Sequence, residues 1–140
     1  MSVLIHTSVW SQAFRRRQGN DGDSDVIQEL RELIADGNAL VIGPVRQELL
    51  SGIKQSSQFE ELRDRMRAFP DVRLESADYE RAAEQFNTCR RHGIQGSNTD
   101  FLICAVAERR QVAIFTTDNG FVHFSRHLPI RLHRSRFSSA

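Results

Sequence analysis

Short runs of residues that are apolar at every position constrain this chain more than any other feature. Val3-Leu4-Ile5, Ala39-Leu40-Val41-Ile42 and Val112-Ala113-Ile114-Phe115 show no alternation of apolar and polar side chains. A strand with one wet face alternates, so strands of this kind are covered on both faces, as in parallel sheets. Helix-length segments lie between them, which is the order of an α/β fold. Val72-Arg73-Leu74 and Pro129-Ile130-Arg131-Leu132 add two shorter candidate strands. The expected architecture is a three-layer α/β/α sandwich around a central parallel sheet of about five strands. A chain of 140 residues without repeat or linker is expected to form a single domain over 1–140, with a loosely ordered tail from about 134.

The helices follow from capping residues and spacing. Thr7-Ser8 offers cap chemistry before Val9, Trp10, Ala13 and Phe14, and Arg15-Arg16-Arg17 closes that helix at its negative end. Gln18 to Ser24 has loop composition, and Asp25 can cap a helix striped by Val26, Ile27, Leu30, Leu33 and Ile34. Gly43-Pro44 opens a short helix to about Ser51-Gly52, and another spans about Ser57 to Ala68. A long helix runs from Ser76 to about Arg91, with Ala77, Ala83, Phe86 and Cys89 as its inward positions. After the loop His92 to Ser97, Asn98 or Thr99 caps an apolar helix over Phe101 to Ala107.

The net charge of +1 conceals an uneven spread: Lys54 is the only lysine among 19 basic residues. No acid follows Asp118, whereas Arg126, Arg131, Arg134 and Arg136 do, together with His123, His127 and His133. Such an end suits phosphate contact or partner docking, with a solvated tail as the plain alternative. Cys89 and Cys104 have no metal-ligand spacing, so reduced thiols in a cytoplasm are expected. The N-terminus lacks the pattern of a signal peptide, and no apolar run reaches the length of a membrane span.

Ligands of parallel sheets bind beyond the carboxyl ends of the strands. His6-Thr7-Ser8 follows the first strand and Thr116-Thr117-Asp118-Asn119 the fourth, while Asp100 and Glu48 belong to helices starting at the same edge. Each has a plain alternative. Asp118 sits in a run with good turn chemistry, Glu48 flanks the stripe Val45, Leu49 and Ile53, and His6 suits either a satisfied core position or a metal ligand. Asp100 shares a helix face with Cys104 and Ala107, where a carboxylate needs a partner or a metal. Gathered in one crevice, such carboxylates repel unless protonated or bridged by cations. An oxygen-rich cluster suits Mg²⁺ or Mn²⁺ and metal-assisted phosphodiester hydrolysis. No Gly-rich phosphate cradle is present, which argues against nucleotide sites of the P-loop or dinucleotide type.

Four ordered segments resemble the PIN-domain family, particularly the ribonuclease toxins of VapBC-type bacterial toxin–antitoxin pairs. They are Val3 to Trp10, Pro44 to Gly52, Thr99 to Ala107 and Phe115 to Phe121. The resemblance implies a metal-dependent endoribonuclease acting on transfer or ribosomal RNA, with Mg²⁺ or alternatively Mn²⁺. It also implies a homodimer restrained by a cognate antitoxin. Glu48, Asp100 and Asp118 fall on three of the family's acidic positions, with catalytic and metal-holding roles, and Thr7 or Ser8 matches its site hydroxyl. Thr117 and Asn119 would line the same site, and Arg15, Arg16 and Arg17 or the C-terminal arginines would hold RNA by phosphate charge. Two positions depart from the pattern: His6 stands where the family has its first Asp, and Gly120 where many members carry another acid. An imidazole supplies one softer nitrogen and no charge, so Mg²⁺ should suffer more than Mn²⁺ and Mg²⁺-dependent turnover should be weak or absent. The alternative is a degenerate PIN domain that binds RNA or an antitoxin without cutting.

Overall fold

In the computed structural model of the chain, which describes residues 1–14 and 24–138, the three wholly apolar runs become neighbouring parallel strands. These are β1 (Val3–Ile5), β2 (Ala39–Ile42) and β4 (Ala113–Phe115). With β3 (Asp71–Val72) they form a four-stranded parallel sheet in the order β3-β2-β1-β4. Val3 pairs with Ala39 on one side and Ala113 on the other, which aligns the ends of β1, β2 and β4.

The sheet has four strands and not about five. Leu132 makes a single parallel bridge to Ile114, through Ile114 N–H to the Arg131 carbonyl and His133 N–H to the Ile114 carbonyl. The ladder cannot extend toward Pro129, which has no N–H, and the Ile130 N–H is already donated to the Leu128 carbonyl.

Seven helices accompany the sheet among the described residues: α1 (Thr7–Phe14), α2 (Asp25–Ala35), α3 (Gly43–Leu50), α4 (Ser56–Met66), α5 (Ser76–Arg91), α6 (Asn98–Arg110) and α7 (Gly120–Ser125). Two expected caps lie one residue or more out. Ser24, not Asp25, caps α2 by accepting the Ile27 N–H. Ser97, not Asn98 or Thr99, caps α6 in a reciprocal box with Asp100. Gly96 just before it packs so tightly that a Cβ there would lie 2.5 Å from the Phe124 ring.

Helix α6 is the centre of the molecule, with every residue from Phe101 to Ala107 buried. A helix apolar all round must be covered all round. The sheet, α5 and the Phe121 and Phe124 rings of α7 belong to the same core. The inward face of α5 differs from expectation: Asp78, Ala82, Gln85 and Cys89 are buried, whereas Ala77 and Ala83 are exposed. Polar side chains can occupy that stripe because α6 supplies partners, although the buried Gln85 Oε1 has none among the described residues. Arg109 grips Asp78 with two guanidinium hydrogen bonds of 2.6 and 2.9 Å, and Glu108 accepts from Gln85 at 2.9 Å. Both cysteines are free and buried, and burial pushes both thiols upward.

Within the described part of the C-terminal end, His133 to Ser138 make specific hydrogen bonds. Glu29 of α2, 1% exposed, meets His133 Nε2 at 2.5 Å and accepts Arg136 Nε at 2.8 Å. Ser135 donates to the Asp25 carbonyl and accepts the Phe137 N–H. Burial pushes the Glu29 carboxyl up, but the hydrogen bonds from His133 and Arg136 outweigh it and hold the group below its usual range. A carboxyl depressed by folding stabilises the native state above its unfolded pKa, and that contribution disappears as pH falls through the folded value. The thermal unfolding midpoint should therefore fall in acid below the usual Glu range, and Glu29→Gln should flatten that fall while lowering the midpoint at neutral pH. Unchanged pH dependence in Glu29→Gln would show that the clasp contributes nothing.

Candidate metal centre at the carboxyl edge of the sheet

Parallel strands bring all their carboxyl ends to one edge, where β1 passes into α1, β2 into α3 and β4 into the turn before α7. His6 is the first residue past β1. Its N–H donates to the Phe115 carbonyl at the end of β4, and its own carbonyl accepts the Val9 and Trp10 N–H groups in the first turn of α1. That backbone position turns a buried imidazole toward the start of α6. Nε2 lies 3.1 Å from Asp100 Oδ1, and the ring packs 4.7 Å from the buried Phe121 ring.

Asp100 is held from two sides. As the third residue of α6, its carboxylate accepts the Ser97 N–H at 3.3 Å while Ser97 Oγ accepts its own N–H. Burial pushes the Asp100 carboxyl up; the hydrogen bond and charge of His6, with the Ser97 contacts, bring it below the ordinary carboxylate range. Asp100 is therefore ionised and accepts only, so His6 Nε2 carries the proton between them. Nδ1 then takes a hydroxyl proton from Ser8 Oγ or Thr116 Oγ1, each 2.9 Å away. The Ser8 N–H also points at Nδ1, at 3.4 Å; only a cation between Nε2 and Asp100 would favour the other tautomer, with the ring proton on Nδ1 donated to one of those hydroxyls.

Asp118 serves its turn as well as the cluster. Its Oδ1 accepts the Gly120 N–H at 2.8 Å and its carbonyl accepts the Phe121 N–H, which starts α7. Thr116 Oγ1 accepts the Asp118 N–H at 3.0 Å, and Ser8 Oγ accepts the Thr117 N–H at 3.1 Å. One donor atom each from His6, Asp100 and Asp118 lies within 4.8 Å of the others.

Glu48 is outside that trio. It is exposed on α3 and tied to the edge by Thr7, whose Oγ1 donates to Glu48 Oε1 at 2.6 Å. The Thr117 and Asn119 side chains are exposed beside Asp118. Arg15, Arg16 and Arg17 lie outside the described residues. Sequence reasoning missed Thr116 and Phe121 as neighbours of His6. Thr116 was placed at the ligand edge after the fourth strand, but its contact with His6 was not readable; the Phe121 contact depends on α7, whose six residues give no period to detect.

Two donors on one Mg²⁺ stand at most about 4.2 Å apart, twice its bond length. A trio within 4.8 Å fits a divalent ion after a small closure. Two carboxylates and one imidazole suit a cation of intermediate softness, such as Mn²⁺, better than Mg²⁺.

The PIN domain family model matches residues 3–126 of this chain. No curated protein matches the sequence significantly. Among solved structures, FitAcB from Neisseria gonorrhoeae superposes with a TM-score of 0.74 at 18% identity, covering 97% of this chain and 99% of that one. VapBC2 from Rickettsia felis, bound to a DNA fragment from its promoter, gives 0.73 at 19% identity, with coverage of 95% and 98%. A toxin–antitoxin complex from Klebsiella pneumoniae gives 0.60 at 17% identity, with coverage of 84% and 88%.

Proposed function

The chain belongs to the PIN-domain family, and from that premise we propose that it is a metal-dependent endoribonuclease, the toxin of a type II toxin–antitoxin pair. The observation that carries the reading is the convergence of His6, Asp100 and Asp118 donors within 4.8 Å at the ligand edge of the sheet. A divalent ion held by these residues supplies Lewis acidity toward a phosphodiester and offsets the charge of the two carboxylates. Asp100 contributes an ionised carboxylate fixed by Ser97, and Asp118 a carboxyl group set by the turn before α7. His6 contributes Nε2, with Ser8 and Thr116 setting which nitrogen carries the proton. Glu48, exposed and oriented by Thr7, is assigned proton transfer beside the trio. Mn²⁺ is the preferred cofactor over Mg²⁺, on account of the imidazole.

The FitAcB and VapBC2 structures and the Klebsiella complex support an antitoxin as partner. Transfer or ribosomal RNA is the proposed substrate class, a homodimer the proposed assembly and a single domain over 1–140 the proposed unit. No helix among the described residues is long and apolar enough to cross a membrane, and a cytoplasmic location is part of the proposal.

One observation favours a second reading, a non-cutting RNA- or antitoxin-binding module. The Nε2 to Asp100 contact of 3.1 Å occupies an oxygen that a metal would need. Calorimetric titration with Mn²⁺ and Mg²⁺ beside an RNA cleavage assay separates the two. The expected result is Mn²⁺ binding with cleavage, both abolished in Asp118→Asn. RNA bound without cutting, unaffected by chelator, would establish the binding module instead.

A further inference from the structure

At the opposite edge of the sheet lies a second cleft with a different chemistry. It is lined by Val3, Asn38, Val112 and Ala113, at or next to the amino ends of β1, β2 and β4, and has a volume of about 1160 Å³. Arg110, Arg131, Arg134 and Arg136 line it together with His133, against one acid, Asp36. The carboxylate site uses none of them, although three are among the C-terminal arginines that the family resemblance offers to RNA phosphates.

The arginines come from two separate parts of the chain. Arg110 ends α6, where a cation is favoured by the helix dipole. That accounts for Arg110 but not for Arg131 or Arg134, which lie on the segment that bridges to β4. Two of the four are pre-set. Arg131 Nη2 donates to the Gln111 carbonyl at 3.1 Å, and Arg136 is fixed by Glu29 at 2.8 Å. Arg110, exposed, has no ion pair among the described residues. The last acid of the sequence is Asp118, so the bridging segment brings no carboxylate of its own to cancel its charge. A fixed guanidinium fork matches phosphate oxygens better than a flexible ammonium does. The cleft exceeds the usual 300–1000 Å³ of a small-molecule pocket, which favours an extended polyanion over a single nucleotide.

We propose that this cleft binds the phosphodiester backbone of single-stranded RNA, independently of base sequence and apart from the carboxylate site. The inference rests on RNA as the substrate class of the proposed function, but it concerns binding away from the carboxylate site, so it can fail while that site still cuts.

The probe is a fluorescent oligouridylate, followed by anisotropy in chelator across a salt series. The first variant is Arg110→Gln with Arg131→Gln and Arg134→Gln; Arg136 stays, because Glu29 depends on it. Removing three phosphate contacts should reduce the slope of log affinity against log salt by about 2, with at least tenfold weaker binding at low salt. The corresponding triple Lys variant should keep the slope. Arg110→Glu, a change at an exposed helix end, gives a second readout should the triple variant fail to fold, and should lower the slope by itself. An unchanged slope would overturn the proposal, as would an equal loss in the Lys variant. Displacement of RNA by polyglutamate as readily as by polyuridylate would overturn it in favour of an acidic polypeptide. The readout is binding in chelator, so it is unaffected by whether the chain cuts.

Discussion

His6→Asp is expected to raise Mg²⁺-dependent RNA cleavage at least tenfold and to shift the metal preference from Mn²⁺ toward Mg²⁺. The His6 side chain leaves from the backbone step joining β1 to β4, and its Nε2 already faces Asp100 at 3.1 Å. A carboxylate there would add a negative charge and hard oxygens to a trio that has only two acids. Changes even to groups that merely orient a ligand typically cost 10–100-fold in metal affinity or activity, so converting the ligand itself should matter at least as much. Without metal, the variant should be less stable than the original chain, because three clustered carboxylates repel where an imidazole now donates to one of them. A thermal midpoint lower in chelator and rescued by Mg²⁺ is the accompanying signature. Cleavage unchanged with either metal would mean that His6 neither helps nor hinders, and the trio would lose its claim to be the centre.

The largest stability effect belongs to the far end of α6. Arg109→Ala should destabilise the fold by about 3 kcal/mol, the lower end for breaking a buried pair, because Arg109 is partly exposed. The cause is the partner left behind: Asp78 is 2% exposed and would lose both guanidinium bonds. Burial pushes the Asp78 carboxyl up; the Arg109 bonds, the Glu75 N–H and the Arg109 charge hold it below the ordinary range. In a chain of this size the midpoint should drop by about 10 °C. Replacing both partners with apolar residues, Asp78→Leu with Arg109→Met, should recover most of the loss, since neither residue then leaves a buried charge. A loss below about 0.5 kcal/mol in Arg109→Ala, the size of a surface pair, would sink this account.

The sheet was legible because its strands are wholly apolar, and a short run apolar on both faces has to be covered on both faces. The fifth strand was not, because Pro129-Ile130-Arg131-Leu132 has strand composition while its pairing depends on which N–H groups remain unspent. The inward face of α5 was misread for a related reason. Asp78 and Gln85 are polar, and only the presence of Arg109 and Glu108 opposite makes their burial tolerable. At the site, the topology rule drew attention to His6, Asp100 and Asp118 without any side-chain geometry. The separate position of Glu48 was invisible, because one helix residue's reach across an edge is a matter of ångströms. Thr116 was placed at that edge, but its pairing with His6 was invisible, because a hydroxyl beside an acid looks like turn chemistry until an imidazole is found 2.9 Å away.

Helix α6 imposes a lasting restriction on how this protein can be altered. Asp100 stands immediately before seven consecutive buried residues, so its carboxylate is indexed to the whole interior. Sliding or rotating the helix to move Asp100 would misplace all seven at once. Retuning the centre for a different ion therefore has two adjustable points, His6 on its backbone step and Asp118 in its turn, while Asp100 is the fixed datum from which both are measured.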